Sequence, residues 1–335
     1  MELVRNILEI PVTDKPVVLA MGCFDGVHSG HQKVISTAVE QAKMLGGEAW
    51  VFTFSPHPAK ILSPDTAPQL ISVEICRLRQ FEALGVHGVI VIPFDKTFAH
   101  TEPEQFLSSL WEKLPTLKGI VCGTDWSFGY QARGKFQALE KLCGEHGITA
   151  TAVSPVLFNG ERISSTHIRQ AVRDGDVPLA EQMLGRPFCI FGTVVKGRGI
   201  GRGLGFPTAN IEPDNELIPA PGVYAAFTKV ESQKSKVKSP DSKSRPSSFD
   251  SRPLTLPFPS AVFIGERKTF GDHEPVIEVY LLDFDGDLYR QPIEVRLVEK
   301  IRSVEKFPSK EVLVVQIEKD IAKIRAMLGP NANKR

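Results

Sequence analysis

Apolar runs of the strand type alternate with amphipathic helical patterns from residue 17 to about residue 184. Strand-type runs occupy residues 17–21, 49–54, 88–94, 120–122 and 149–153, and helical patterns lie near residues 34–42, 73–84, 103–114 and 135–145. Repeated strand–helix units of this kind predict an α/β domain whose parallel sheet carries helices on both faces. Ligands of such sheets bind beyond the carboxyl ends of the strands, at the point where the strand order reverses.

The pattern changes after about residue 186, where strand-type runs follow one another without helical patterns between them. These runs are residues 188–195, 223–230, 261–264, 276–284 and 293–299. Short strands separated by Gly and Pro turns predict a small antiparallel β-barrel. A closing helix follows, with Ser309 as its expected N-cap and an apolar face that ends before Gly329. We therefore place the domain boundary in LGRP and divide the chain into residues 1–185 and 186–335.

Residues 231–259 are rich in Ser, Lys and Pro and contain few aliphatic residues until their end. A segment of this composition cannot bury enough apolar surface to order itself. We interpret it as a disordered insertion between two barrel strands. A basic tether for nucleic acid is the alternative interpretation.

The composition excludes several classes of protein. The formal net charge is +1, so general electrostatic attraction to nucleic acid or anionic lipid is not expected. No apolar run approaches the roughly 20 residues that a membrane-spanning helix needs. The five cysteines are widely spaced, without the close pairs of a zinc or redox site. These features predict a cytoplasmic protein that binds neither membranes nor nucleic acid.

The loop from Gly22 to His31 joins the first strand of the parallel sheet to the first helix. Its glycines allow the backbone to approach a phosphate closely, and the helix start supplies free N–H groups and the positive end of the helix dipole. His28 and His31 are three residues apart and can face the same anion, where they suit stabilisation of charge during phosphate transfer. The alternative is a tight turn with two incidental histidines. The position between strand and helix favours the phosphate site.

Three further segments follow the first in an order that suits the same site. TFSPHP (53–58) and GTDWSFG (123–129) each end a strand-type run, where ligand loops belong, and Arg133 follows the second segment. ISSTHIR (163–169) places hydroxyl groups at a helix start and Arg169 one turn later, an arrangement that can neutralise a polyphosphate. Taken alone, the Ser and Thr residues of this segment would be read only as a helix cap.

Six glycines lie between residues 192 and 205, and the last of them belongs to the segment LGFPTAN (204–210). So many glycines would be costly in a regular element and suit a flap that closes over phosphates. Thr208 and Asn210 offer oxygen ligands two residues apart, which an extended segment projects to one side and which suit Mg²⁺. Glu278 is a carboxylate in an otherwise apolar strand. Periodicity alone does not decide between a general base and a surface residue at this position.

The four N-terminal segments resemble the adenylyltransferase part of bacterial bifunctional riboflavin kinase/FMN adenylyltransferases, also called FAD synthetases. The resemblance implies a Rossmann-like nucleotidyltransferase domain in which the FMN phosphate attacks the α-phosphate of ATP, giving FAD and pyrophosphate with Mg²⁺ present. It assigns stabilisation of the pentavalent phosphorus and the leaving group to His28 and His31. It also implies that ATP and FMN contact Gly22, Phe24, Asp25, Gly30, Phe54, His57, Asp125, Arg133, Ser165, Thr166 and Arg169. Trp126 departs from the usual Phe of this family.

The C-terminal motifs, GRGLGFPTAN, PGVYA, IEVYLLDF and KIR, resemble the riboflavin kinase part of the same family. The resemblance implies that Thr208 and Asn210 hold Mg²⁺ and that Glu278 activates the ribityl hydroxyl of riboflavin for transfer of the γ-phosphoryl group of ATP. It further implies ATP or flavin contacts for Gly197, Gly203, Gly205, Pro207 and Arg302. Phe263 and Lys268 depart from the family pattern.

Three hypotheses follow for the whole chain. The first is sequential catalysis, in which riboflavin becomes FMN in the C-terminal domain and FMN becomes FAD in the N-terminal domain, with ATP as co-substrate. The second retains one activity, with a kinase weakened by the departures at Phe263 and Lys268. The third is a non-catalytic flavin- or nucleic-acid-binding protein that uses the insertion. The sequence leaves the oligomeric state open.

Overall fold

The structure, a computed structural model, describes residues 1–10, 13–197, 199–230, 257–269 and 272–329. The chain divides into two compact units, the first comprising Met1–Gln69 and Glu74–Ser164. Leu70–Val73 and the described residues from Ser165 onward belong to the second. The sequence prediction divided the chain at residues 185 and 186, so two further helices lie in the second compact unit.

The first unit is built on a parallel sheet with the strand order β1-β4-β3-β2-β5-β6. Its strands are β1 (Glu2–Val4), β2 (Val17–Met21), β3 (Glu48–Ser55), β4 (Gly88–Pro93), β5 (Leu117–Gly123) and β6 (Thr149–Val153). Its helices are α1 (Ser29–Met44), α2 (Pro58–Leu62), α3 (Glu74–Ala83), α4 (Lys96–Ala99), α5 (Pro103–Lys113) and α6 (Phe136–Glu145). A small hairpin, β7 (Leu157–Phe158) and β8 (Glu161–Arg162), completes the unit.

Alternate side chains of the central strands point to opposite faces of this sheet, and each face has its own hydrophobic core. Val18 and Ala20 of β2 pack with apolar residues of α1 and α3, including Val34 and Phe81. Leu19 of the same strand packs on the other face, with residues of α5 and α6. The predicted parallel sheet with helices on both faces is confirmed. Gly46, with a φ of 63°, follows the end of α1 as expected.

The second unit begins with two helices, which precede a closed barrel of strand order β10-β13-β12-β11-β14-β9. Neighbouring barrel strands are antiparallel, as predicted. The helices are α7 (Ser165–Asp174), α8 (Val177–Leu184), α9 (Ile200–Gly203) and α10 (Lys310–Leu328). The strands are β9 (Cys189–Val195), β10 (Ala209–Pro213), β11 (Gly222–Val230), β12 (Phe258–Thr269), β13 (Asp272–Leu281) and β14 (Pro292–Arg302).

The closing helix α10 has the cap that the sequence predicts, because the Ser309 hydroxyl accepts a hydrogen bond from the Val312 N–H at 3.4 Å. Ile324 and Leu328 pack on the barrel with Ala225 and Leu282. Among the described residues, no helix is both long enough and apolar enough to cross a membrane.

Two sequence predictions about the barrel need correction. The glycine-rich segment contains a helical turn, α9, because Gly199 can adopt a left-handed φ of 70° immediately before it. The predicted insertion was too long at its end: Phe258 and Pro259 belong to β12 and pair with Thr228 and Phe227 of β11. The apolar end of that segment joins the barrel. Residues 231–256, and with them the rest of the disorder prediction, lie outside the described residues.

Candidate active sites

The loop between β2 and α1 lies at the point where the strand order of the first unit reverses. The chain proceeds from β2 through β3 and β4 on one side, whereas β5 and β6 lie on the other side. The loops that follow β2 and β5 therefore leave the same edge of the sheet at adjacent strands. This is where parallel α/β sheets bind ligands, and it is the position predicted for the phosphate loop.

The backbone of this loop turns sharply. Phe24, Gly26 and Val27 have φ values of 50°, 78° and 43°, in the left-handed region that is unfavourable for residues with a side chain. Asp25 is buried, with 3% of its surface exposed, and the N–H of Gly22 donates to the carbonyl of Phe52 at 3.2 Å. Such a conformation persists only where the surrounding structure holds it.

Two side chains from other elements hold the carbonyl of Cys23. Thr53 Oγ1 donates to it at 3.1 Å, and Arg77 Nη1 donates to it at 3.2 Å. Burial raises the pKa of the Cys23 thiol to about 11, so the thiol stays protonated at neutral pH. Cys23 therefore contributes its backbone, rather than a thiolate, to the loop.

His28 and His31 form a stacked pair at the start of α1. Their ring centroids are 3.6 Å apart, with an angle of 19° between the planes. His28 is the N-cap of the helix, and its Nδ1 accepts a hydrogen bond from the His31 N–H at 3.3 Å. This bond leaves the proton of a neutral His28 imidazole on Nε2. An added Cβ at Gly30 would lie 3.1 Å from His28 Cε1, so glycine gives the ring its space.

His31 is held in its neutral form. Burial lowers its pKa well below 6.5, and the charges of His28 and Arg162 lower it further. Phe24 packs edge-on against the imidazole at 5.4 Å. Among the described residues, His31 Nδ1 is buried without a hydrogen-bond partner. A buried polar atom of this kind is costly unless a further group completes its hydrogen bonding.

An aromatic cavity of about 580 Å³ lies at the ends of the neighbouring strands of the first unit. Cys23 of the loop and Asp125 line it together with Phe54, Phe98, Trp126 and Phe128. The rings of Trp126 and Phe128 are stacked at 4.9 Å. The departure at Trp126 therefore preserves an aromatic wall. A cavity of this size and lining suits a planar aromatic ligand.

The remaining predicted residues of the first unit have partners within it. His57 is the N-cap of α2 and accepts the Ala59 N–H at 3.2 Å. Asp125 forms an ion pair with Arg162. Arg133 pairs with Glu102 at 3.3 Å, at the edge of the segment that lines the aromatic cavity.

Ser165, Thr166 and Arg169 occupy the first turns of α7, which belongs to the second compact unit. Arg169 is buried, with 8% of its surface exposed.

The second candidate site lies on the barrel, where a cavity of about 450 Å³ is lined by residues of the glycine-rich segment, β10 and the loop between β13 and β14. Of the residues that the sequence singles out, Gly197, Pro207, Thr208 and Asn210 line this cavity. Gly203, Gly205 and Arg302 are not among its lining residues.

Glu278 is connected to the second site through two strands. Thr208 Oγ1 donates to Glu278 Oε2 at 3.3 Å, and Asn210 is the cross-strand partner of Glu278. Directly paired residues of antiparallel strands project to the same face of the sheet. Thr208, Asn210 and Glu278 thus form a group of oxygen-bearing side chains beside the cavity.

The backbone of the glycine-rich segment packs closely against Asn210 of this group. An added Cβ at Gly197 would lie only 2.0 Å from Asn210 Nδ2. The backbone at this position therefore approaches the Asn210 amide more closely than any other residue type would allow.

Arg302 takes part in a buried network with the closing helix. Its Nε donates to Asp320 Oδ2 at 2.8 Å, and Gln316 donates to the other oxygen of Asp320 at 2.8 Å. The two side chains of the ion pair are only 16% and 5% exposed. This network fixes α10 to β14.

Comparison with known proteins identifies the relatives of this chain. A family model described as FAD synthetase matches residues 10–167, and one described as riboflavin kinase matches residues 184–328. The bifunctional riboflavin kinase/FMN adenylyltransferase of Escherichia coli K12 is 34% identical over 330 residues, which cover 98% of each chain. The Bacillus subtilis enzyme of the same description is 35% identical over 309 residues, 90% of each chain. The chain belongs to this bifunctional family.

A solved structure of similar fold covers nearly the whole chain. The crystal structure of a macrolide-efflux protein from Streptococcus pneumoniae has a TM-score of 0.82 and 29% sequence identity, and the match covers 96% of this chain and 98% of that one. The family that the motifs predicted is confirmed. The match of the FAD synthetase model includes the loop of His28 and His31, and that of the riboflavin kinase model includes Thr208 and Glu278.

Three residues of this family member that bear on the two sites were not predicted from the sequence. Arg162 pairs with Asp125 and lowers the pKa of His31. Asp287 lines the second cavity. Arg77 is buried and contacts the loop between β2 and α1 at Cys23. Arg77 alone left a signal in the sequence, because it interrupts an otherwise apolar helix face formed with Leu78 and Phe81.

Proposed function

We propose that this chain phosphorylates riboflavin to FMN and then adenylylates FMN to FAD, with ATP as the co-substrate of both reactions. The observation that carries the proposal is that one chain of this family holds two separate sites, each with the groups that a phosphate-transfer reaction requires. We assign adenylyl transfer to residues 1–185 and phosphorylation to residues 186–335. The two family-model matches, which end at residue 167 and begin at residue 184, support this division.

In adenylyl transfer, a phosphate oxygen of FMN attacks the α-phosphorus of ATP, and the bond from that phosphorus to the β-phosphate oxygen breaks as pyrophosphate leaves. The N-terminus of α1 favours an anion through its dipole and N–H groups. His28, with its Nε2 proton, and neutral His31 donate hydrogen bonds where charge develops on the transferred phosphate. The aromatic cavity lined by Phe54 and Trp126 accepts the flavin ring.

In phosphorylation, Glu278 accepts the proton of the ribityl 5′-hydroxyl while the hydroxyl oxygen attacks the γ-phosphorus of ATP. The bond from that phosphorus to the β-phosphate oxygen breaks, and ADP leaves. The hydrogen bond from Thr208 orients the carboxylate. The 450 Å³ cavity, which Gly197 and Tyr289 line, holds the nucleotide. This reaction needs positioning more than covalent chemistry, and the close packing of Gly197 against Asn210 supplies a fixed backbone for it.

Mg²⁺ suits the donor set of the second site. The Thr208 hydroxyl and the Asn210 amide are hard oxygen donors, and Glu278 is a carboxylate beside them. We propose that Thr208 and Asn210 hold Mg²⁺ together with ATP phosphates. When bound, the ion neutralises phosphate charge.

The other predicted contacts remain part of the proposal. For ATP and FMN in adenylyl transfer they are Gly22, Phe24, Asp25, Gly30, His57, Asp125, Arg133, Ser165, Thr166 and Arg169. For ATP and flavin in phosphorylation they are Gly203, Gly205, Pro207 and Arg302. A cytoplasmic location is also proposed, and the five free cysteines suit it, because disulfides are rare in that compartment.

The test is incubation of the pure protein with riboflavin, ATP and Mg²⁺, followed by chromatographic separation of the flavins. The expected products are FMN and then FAD, and the absence of both would refute the proposal. Supplying FMN in place of riboflavin tests adenylyl transfer alone. FAD from FMN without FMN from riboflavin would instead support a chain with one activity.

A further inference from the structure

A buried arginine lies on α3, next to the phosphate loop of the first unit. Arg77 is only 8% exposed, and its helix neighbours Cys76, Leu78 and Phe81 are 7%, 4% and 1% exposed. A guanidinium is always charged, so burying it is costly unless it is paired or hydrogen-bonded. The Glu74 carboxylate of the same helix forms its ion pair with Arg5.

Arg77 donates a hydrogen bond to the backbone of this loop. Its Nη1 donates to the Cys23 carbonyl at 3.2 Å, and the buried Thr53 Oγ1 donates to the same oxygen at 3.1 Å. Among the described residues, Arg77 Nε has no acceptor. A hydrogen bond from a charged donor is about twice as strong as a neutral one. The Cys23 carbonyl is therefore fixed from β3 and from α3 together.

This carbonyl immediately precedes the strained part of the loop. Phe24 and Val27 follow it with φ values of 50° and 43°, and His28 comes next as the helix cap. The Phe24 ring packs edge-on against the rings of His31 and Phe81, with centroid distances of 5.4 Å and 6.0 Å. Because Phe81 is one turn after Arg77, a single face of α3 holds both the backbone and the aromatic ring of the loop.

We infer that Arg77 is a positioning residue for adenylyl transfer. By holding the Cys23 carbonyl it maintains the left-handed turn, and thereby the placement of the His28 and His31 rings relative to the transferred phosphate. Arg77 itself need not touch the substrates. The inference rests on the proposed adenylyl transfer.

The test compares Arg77→Met, Arg77→Lys and Arg79→Met in the full-length protein. Arg77→Met keeps most of the side-chain volume but removes the donor, and we expect a fall in kcat for FAD formation of about 10- to 100-fold, as for a small misplacement of catalytic groups. The KM for FMN should change little, because the flavin ring binds in the aromatic cavity. Arg77→Lys restores a charged donor and should recover most of the lost rate. Arg79→Met makes the same change on the same helix and should retain the wild-type rate.

The phosphorylation of riboflavin by the second site is an internal control and should be unchanged in all variants. Thr53→Val, which removes the other donor to the Cys23 carbonyl with little change of shape, should lower the same kcat less strongly. It provides the test if Arg77→Met does not fold.

The inference would be overturned if Arg77→Met formed FAD with the wild-type kcat. If Arg77→Met does not fold, a wild-type kcat in Thr53→Val would overturn it. Failure of Arg77→Lys to recover any activity would overturn it too, as would an equal loss of phosphorylation. If the wild-type protein forms no FAD from FMN, the proposed function fails instead, and the two failures are therefore distinguishable.

Discussion

His28 has two separable roles in this structure, and replacing it with either Asn or Ala distinguishes them. Its Nδ1 caps α1 by accepting the His31 N–H, and its ring stacks on that of His31, with 3.6 Å between the ring centroids, beside the proposed phosphate site. Asn is among the best N-cap residues and can accept the same N–H, but it has no imidazole. His28→Ala removes both the cap and the ring.

The magnitudes follow from these contacts. Loss of the cap should cost His28→Ala about 0.5–2 kcal/mol of folding stability, whereas His28→Asn should lose much less. For a unit of this size, 1 kcal/mol corresponds to a fall in Tm of about 2–4 °C. Loss of a hydrogen-bond donor to the charge that develops during transfer lowers kcat about 10²–10³-fold. We therefore expect both variants to lose FAD formation to a similar extent, while only the Ala variant loses stability.

The assay measures FAD formed from supplied FMN and ATP, and thermal unfolding is recorded for each variant. FMN formation from riboflavin should remain at the wild-type rate, because Glu278 lies in the other site. If His28→Asn forms FAD at nearly the wild-type rate, the imidazole has no role in transfer and His28 is only a helix cap. That result would refute the assignment of chemistry to the histidine pair.

Three further predictions concern other positions. Glu278→Gln should lower FMN formation about 10²–10⁴-fold, the usual contribution of a general base, with FAD formation from FMN unchanged in the same preparation. Gly197→Ala should weaken ATP binding, measured as a rise in KM, because its Cβ would lie 2.0 Å from the Asn210 amide and overpacking of this kind costs about 1–3 kcal/mol. Gly144→Ala, where an added Cβ meets nothing within 4 Å, should leave that KM unchanged. The pKa of His31 is lower in the folded state than its ordinary value of 6.5, so below pH 6.5 the unfolded state binds more protons than the folded state. The contribution of His31 to folding stability is therefore present above pH 6.5 and is lost as the pH falls below it. Thermal unfolding from about pH 7.5 to about pH 5.5 should therefore show a larger loss in the wild type than in His31→Gln, and equal losses would contradict the lowered pKa.

Periodicity was sufficient to predict most of the fold. Strands β2 to β5 are buried on both faces and therefore read as continuous apolar runs. Strand β14 reads as an alternation of apolar and polar residues, the pattern of a strand with one face toward the core. The Ser309 cap of α10 was predicted for a local reason, and the structure confirms it. By contrast β1, Glu2–Val4, was missed because three residues leave no periodic signal and its pairing partner β4 is distant in the sequence.

The loop between β2 and α1 could be located from the sequence, but the electrostatic state of its histidines could not. Strand, glycines and helix start are local features, so the position of His28 and His31 follows from them. The lowered pKa of His31 depends on burial and on Arg162, which is far away in the chain. The hydrogen bond from Arg77 to Cys23 likewise needs α3 to pack against the loop.

Glu278 shows most clearly what sequence periodicity cannot predict, namely which residue of the neighbouring strand faces it. Alternation in β13 tells which residues share a face with Glu278, but it does not tell what lies opposite that face. The register does: β10 pairs with β13 so that Asn210 is the direct partner of Glu278, and Thr208 reaches the carboxylate at 3.3 Å. A shift of one residue in this pairing would move Asn210 to the other face and separate the amide from the carboxylate. The closed barrel fixes the register because every strand is paired on both sides, and the site on the barrel depends on that closure as much as on the residues themselves.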